Sequence, residues 1–227
     1  IIPFLLNALV DLEPEFEHQF KFTEKIINFD AVIATGSNNS GLYFDHYFSK
    51  FPHIIRKNRT SVAIIDHNNN DTEIEAIGRD IFMYFGLGCR NVSKLYIEEN
   101  VDLTRIMSIW HEFKQINLHH KYKNNYDYNY TVMLLNGDDF LMNGAMLLKN
   151  DNNLHSRIAV IHYERFNNKN ILIKNIKEHS SEIQCVVSAS KYENLQLTEP
   201  GMTQSPGLTD YADNIDTMKF LQSLIND

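Results

Sequence analysis

The chain has 227 residues, 43% hydrophobic and 22% charged, with a formal net charge of −8. That length buries a sizeable core in one large or two smaller domains. The acidic balance argues against nucleic acid as the main partner, since basic residues are scattered apart from Arg56-Lys57-Asn58-Arg59. Two cysteines, Cys89 and Cys185, make no disulfide framework, which points to a reducing, cytoplasmic setting.

Ile1 to Val10 reads as a helix starting near Pro3, too short for a membrane span and without the basic flank of a signal peptide. Residues 23 to 34 hold one or two strands. The last runs through Phe29-Asp30-Ala31-Val32-Ile33-Ala34 into the turn Thr35-Gly36-Ser37. Residues 40 to 51 form a helix, with Phe44, Tyr47, Phe48 and Phe51 on one face, which stops at Pro52. Ser61 to Ile65 is a short apolar strand, and 66 to 71 an Asn-rich loop. Thr72 and Glu75 have capping-box spacing; Ile74, Ile77, Ile81 and Phe85 then recur at helical intervals until Gly86 and Gly88. Ser93 to Ile97 is a strand. Leu103, Ile106, Trp110 and Phe113 mark the inward stripe of the next helix. Residues 117 to 130 are rich in Tyr, Asn and His, and their tyrosines pack. Thr131 to Asn136 is assigned to helix. Ile158 to Tyr163 and Ile183 to Val187 are strands, and Ile171 to Ile173 is a further candidate. Helices alternate with strands and nothing repeats, so the class is α/β.

Cys89 is the candidate nucleophile. It lies at a helix end between Gly88 and a strand, where a small turn lets a carbonyl approach sulfur. Its own N–H is a candidate oxyanion donor. Arg90 and Lys94, close in sequence, are expected to lower the thiol pKa. A buried structural cysteine is the competing reading; for Cys185, in line with Ile183 and Val187, it is the preferred one. The Thr35-Gly36-Ser37 turn leads from a strand into a helix N-terminus, a place for a phosphate or dinucleotide or else a plain connection. Arg56, Lys57 and Arg59 contact a phosphate or form a solvated basic turn. The histidines lack metal-ligand spacing, so no metal site is expected.

The two motifs together resemble the aldehyde dehydrogenase superfamily. Phe29 to Ser37, Tyr84 to Lys94 (Tyr-Phe-Gly-Leu-Gly-Cys-Arg-Asn-Val-Ser-Lys) and Gln204 to Leu221 (Gln-Ser-Pro-Gly-Leu-Thr-Asp-Tyr-Ala-Asp-Asn-Ile-Asp-Thr-Met-Lys-Phe-Leu) are similar to the acyl-CoA reductase family of the LuxC type. Residues 115 to 200 match only loosely.

The resemblance implies an α/β, aldehyde dehydrogenase-like fold in the C-terminal part of a longer protein. Residues 1–60 would close a nucleotide-binding domain, 61–212 form the catalytic domain and 213–227 a helical latch. It implies Cys89 as catalytic residue, with Gly88, Arg90 and Asn91 supporting it or its oxyanion, and Thr35, Gly36 and Ser37 at the cofactor. It also implies NADPH as cofactor and an acyl-CoA or other acyl thioester as substrate, and leaves a homo-oligomer open. The stretch matching the family's general-base segment, Ile55 to Ser61, has no carboxylate. An acyl-enzyme there would resist water and wait for hydride or a thiol. The region matching the ribose-binding glutamate, Asn153 to Arg157, has none either. Two other readings remain: a coenzyme A-acylating aldehyde dehydrogenase working oxidatively, and a non-catalytic partner-binding α/β module.

Overall fold

A computed structural model of the chain describes residues 1–225. Its centre is a six-stranded sheet in the order β5-β6-β7-β4-β3-β8, parallel except where β5 meets β6. The strands are β3 (Thr60–Ile65), β4 (Val92–Glu98), β5 (Phe140–Met142), β6 (Leu147–Asn150), β7 (Val160–Phe166) and β8 (Ile183–Val187). β3 is buried along its whole length, as its run Val62-Ala63-Ile64-Ile65 requires of a central parallel strand.

Alternation on β3 divides the core. Ala63 and Ile65 pack with Ile74, Ile77 and Ile81 of α3 (Asp71–Phe82) and with Ile106 and Trp110 of α4 (Leu103–Trp110). Val62 and Ile64 face Leu172 and Ile176 of α6 (Lys169–Glu178) on the other side. Helices therefore cover both faces. Trp110 anchors the first of them through its indole N–H to the Ile74 carbonyl at 2.7 Å.

A smaller unit precedes the sheet. Helix α1 (Ile2–Leu12) leads to β1 (Val32–Thr35), which pairs in parallel with β2 (His53–Arg56) across α2 (Asn38–Tyr47). Helix α5 (His120–Asn136) precedes β5, and α7 (Thr217–Ser223) lies near the C-terminus. Residues 226 and 227 of the expected latch lie outside the described residues.

Several local expectations are corrected. The capping box sits two residues earlier, on Asn70 and Glu73: each side chain takes the other's backbone N–H, at 3.0 Å. Ile171 to Ile173 is helical, because Asn168 caps α6 through two N–H groups and Leu172 and Ile176 bury one helical stripe. The helix over 131–136 begins at His120 and takes in the tyrosine-rich segment. Of residues 23–34, only the last three are in a strand, the start of β1 (Val32–Thr35). β2, β5 and β6 arise where no strand was expected.

Candidate active site

The end of α3 sets the position of Cys89. After Phe82 the chain takes left-handed conformations at Tyr84 (φ 53°), Phe85 (φ 62°) and Gly86 (φ 71°). Such geometry costs about 1–2 kcal/mol at each non-glycine residue, so surrounding contacts must hold it. Asn91, 2% exposed, does so. Its Nδ2 donates to the carbonyls of Asp80 (3.0 Å) and Met83 (2.8 Å), and its Oδ1 accepts the Gly88 N–H at 2.9 Å. A Cβ at Gly88 would stand 3.1 Å from that oxygen, which favours glycine there.

Ser61 fixes the next peptide. It lies where β3 slips register against both β4 and β8. Its hydroxyl donates to the Cys89 carbonyl at 3.0 Å and accepts the Cys185 N–H at 3.2 Å. Cys185 is buried and Cys89 exposed.

The Thr35-Gly36-Ser37 turn is built by packing. Gly36 donates to the Arg56 carbonyl at 3.0 Å, and a Cβ there would meet Ser40 Cβ at 2.8 Å. Ser37 caps α2, its hydroxyl accepting the Ser40 N–H at 3.2 Å. This turn, at the end of the separate β1–β2 pair, meets the cysteine across one cavity. Thr35, Gly36, Gly88, Cys89 and Asn91 line one cavity of about 440 Å³, with Arg56, Lys57 and Arg59 in its wall. Ser37 is not in that wall. Arg90 turns to a neighbouring cavity of about 380 Å³. It donates to Cys185 Sγ (3.5 Å) and to the carbonyls of Thr203 and Asp210 (both 3.3 Å).

The expected activation of the thiol is corrected. Although Cys89 is exposed as a residue, the cleft walls desolvate its sulfur, and this pushes the thiol pKa up. Arg90 opposes the rise; Asp213 and Cys185 add to it. Lys94 has no part. It is fully buried, paired with Glu164 at 2.7 Å and donating to the Asp151 carbonyl. Burial lowers its own pKa.

Residues 153–157 contribute His155 and Ser156 to the Cys89 cavity. Asp213 also lines it, delivered by a turn far away in sequence. A carboxylate therefore reaches the cavity although Ile55–Ser61 supplies none. Sequence reasoning gave Asp213 only a latch role, and the Asp-Tyr-Ala-Asp motif was the available signal. Arg59 donates to the Ser180 carbonyl at 2.7 Å and to that of Ile183. Arg56 reaches Thr217 Oγ1 at 2.9 Å, and Lys57 pairs with Asp45 at 2.6 Å. The Nε–H groups of Arg56 and Arg59 are buried without a hydrogen-bond partner, although Asp213 Oδ1 stands 3.9 Å from Arg59 Nε. Among the described residues no group of three His, Cys, Asp or Glu is placed to hold a metal ion, and no helix is long and apolar enough to cross a membrane.

No protein-family profile and no curated protein matches the sequence. Solved structures do match. The chain superposes on an NAD-dependent aldehyde dehydrogenase from Sinorhizobium meliloti with a TM-score of 0.53 at 11% identity, over 71% of this chain and 39% of that one. An indole-3-acetaldehyde dehydrogenase in complex with NAD+ gives 0.52 at 13% identity, over 71% and 40%. The aldehyde dehydrogenase KauB from Pseudomonas aeruginosa gives 0.51 at 12%, over 70% and 39%. The chain thus spans about 40% of the length of these proteins. At such identities the likeness establishes architecture: this is an α/β chain with an aldehyde dehydrogenase-like fold.

Proposed function

We propose that this chain belongs to an oxidoreductase that reduces an acyl-CoA, or a similar acyl thioester, to the aldehyde through an S-acyl intermediate on Cys89. The observation that carries the reading is the single cavity shared by Cys89, the Thr35-Gly36 turn and the 56–59 cations. The Arg56 Nε–H, buried without a hydrogen-bond partner, fits an anionic ligand, as a dinucleotide or coenzyme A phosphate would be; Arg59 lies in the same wall, with Asp213 3.9 Å from its Nε. The solved structures of this fold include NAD+ complexes, and the family resemblance favours NADPH for this chain.

Thr35, Gly36, Arg56 and Arg59 would hold the nucleotide, which when bound supplies the hydride. Cys89 Sγ attacks the thioester carbonyl, forming the new S–C bond as the substrate thiolate departs. The Cys89 N–H stabilises the oxyanion, and Gly88 leaves room for it. Asn91 holds the turn in place, and Arg90, turned to Cys185, favours the thiolate of Cys89 through its charge. The thiohemiacetal left after hydride transfer collapses to release the aldehyde and the free thiol.

Intact-protein mass spectrometry after mixing with an acyl-CoA tests the reading. Wild type and Cys185→Ser gain one acyl group, whereas Cys89→Ser gains none. An acylated Cys89→Ser variant would overturn the assignment.

A further inference from the structure

We propose that Asp213 is the proton-transfer residue of this cavity, taking the Cys89 proton during attack and returning it to the departing thiolate. The inference rests on the reading of Cys89 as the acylated thiol.

Geometry singles out this carboxylate. Asp213 lines the cavity with Cys89. Its side chain is 12% exposed, and Oδ2 is buried with no hydrogen-bond partner. Oδ1 stands 3.9 Å from Arg59 Nε, too far for a hydrogen bond. Asp213 is ion-paired with Arg59 through Oδ1, while Oδ2 has no hydrogen-bond partner; a buried carboxylate oxygen left unpaired is costly and calls for an explanation. The backbone is forced to deliver it: Asp213 (φ 60°) and Asn214 (φ 56°) are both left-handed, and the Asp213 N–H is tied to Gln184 Oε1 at 3.1 Å.

The chemistry calls for an acceptor here. Desolvation raises the Cys89 thiol pKa, and the Asp213 charge adds to the rise. Arg56, Arg59 and Arg90 cannot accept a proton. His155 also lines the cavity, but it is 42% exposed and its Nε2 faces Glu182 at 3.7 Å. A thiol gives up its proton to a carboxylate more readily than water does, so this residue suits the sulfur better than a hydrolytic water. The step balances: the S–H proton passes to the carboxylate, S–C forms, the substrate C–S bond breaks, and the proton leaves on the substrate thiol. No oxidant or reductant is consumed.

The test compares wild type with Asp213→Asn, Asp213→Glu and His155→Gln in the intact protein. Three rates are read: Cys89 acylation by octanoyl-CoA, Cys89 alkylation by iodoacetamide, and hydrolysis of preformed octanoyl-enzyme. Asparagine tolerates left-handed backbone, so Asp213→Asn keeps the turn. It should acylate about 10²-fold more slowly or worse, yet alkylate at least as fast, because a nearby negative charge is gone. Asp213→Glu restores much of the acylation, and hydrolysis changes little. Unchanged acylation in Asp213→Asn, loss of hydrolysis in place of acylation, or loss of acylation in His155→Gln alone would overturn the inference. A wild type that takes no acyl group on Cys89 overturns the functional reading itself; an acylated wild type with an unaffected Asn variant overturns this inference only.

Discussion

Asn91 and Gly88 are joined by one hydrogen bond, Gly88 N–H to Asn91 Oδ1 at 2.9 Å, while the Asn91 amide N–H groups close off the end of α3. The helix terminus and the Cys89 turn are therefore a single unit. Asn91→Ala removes acceptor and donors together. With a cost of about 1–3 kcal/mol for buried groups left unpaired, the variant should lose about 3 kcal/mol in denaturant unfolding. Cys89 should also alkylate faster as its turn loosens. An unchanged midpoint would mean that water replaces the amide without penalty.

Gly78→Ala sets two effects against each other. Alanine gains about 1 kcal/mol of helix propensity over glycine. Its Cβ, however, would meet Phe113 Cε2 at 2.5 Å and Trp110 Cδ1 at 2.7 Å, both in a packed core. Overpacking typically costs about 1–3 kcal/mol, and Trp110 cannot yield without losing its bond to Ile74. Net destabilisation of about 1 kcal/mol is expected; a raised Tm would contradict it.

Asp80, 1% exposed, gathers the 201–203 segment. It accepts from Gly201 N–H (2.7 Å), Thr203 N–H (3.1 Å) and Thr203 Oγ1 (2.8 Å). Asp80→Ala should cost about 3 kcal/mol and increase proteolysis near Gly201. Burial raises the Asp80 pKa despite these donors. The folded carboxyl thus holds its proton more tightly than the unfolded one, and its titration does not drive acid unfolding.

His162 acts with the opposite sign. Burial lowers its pKa from 6.5, assisted by Lys94 and Lys149 and opposed by Asp151 and by its bond to the Asn153 carbonyl. A depressed folded value means stability is present above about pH 6.5 and is lost as pH falls through the folded pKa. The slope is at most about 1.4 kcal/mol per pH unit for one proton. His162→Gln should flatten the acid limb of a stability–pH profile measured by urea unfolding. An identical limb in the variant would remove His162 from that role.

The central strands were readable because each is a short apolar run beside a turn; β3, β4, β7 and β8 needed no tertiary information. β6 did. Leu147 and Leu148 suit helix or strand equally, and pairing with Val160 and Ile161 of β7 decides between them. Ile171-Leu172-Ile173 misled because β-branched residues favour strands locally, whereas the cap at Asn168 and burial of Leu172 and Ile176 favour helix. The Cys89 turn was readable from its glycines. Lys94 was not a neighbour in space, since a strand sends its side chain to the face opposite the core that holds Leu95. Asp213 reaches the cavity only by a long-range return of the chain, for which no local pattern exists.

The Ser61 hydroxyl makes the two cysteines mechanically dependent. It receives the Cys185 peptide and gives its proton to the Cys89 peptide. A shift of β8, such as a ligand wedged beside Cys185 would cause, has a direct hydrogen-bonded route to the Cys89 backbone through this one hydroxyl. Substitutions at 89 and 185 should behave as coupled in a double-mutant cycle, and Ser61→Ala should uncouple them.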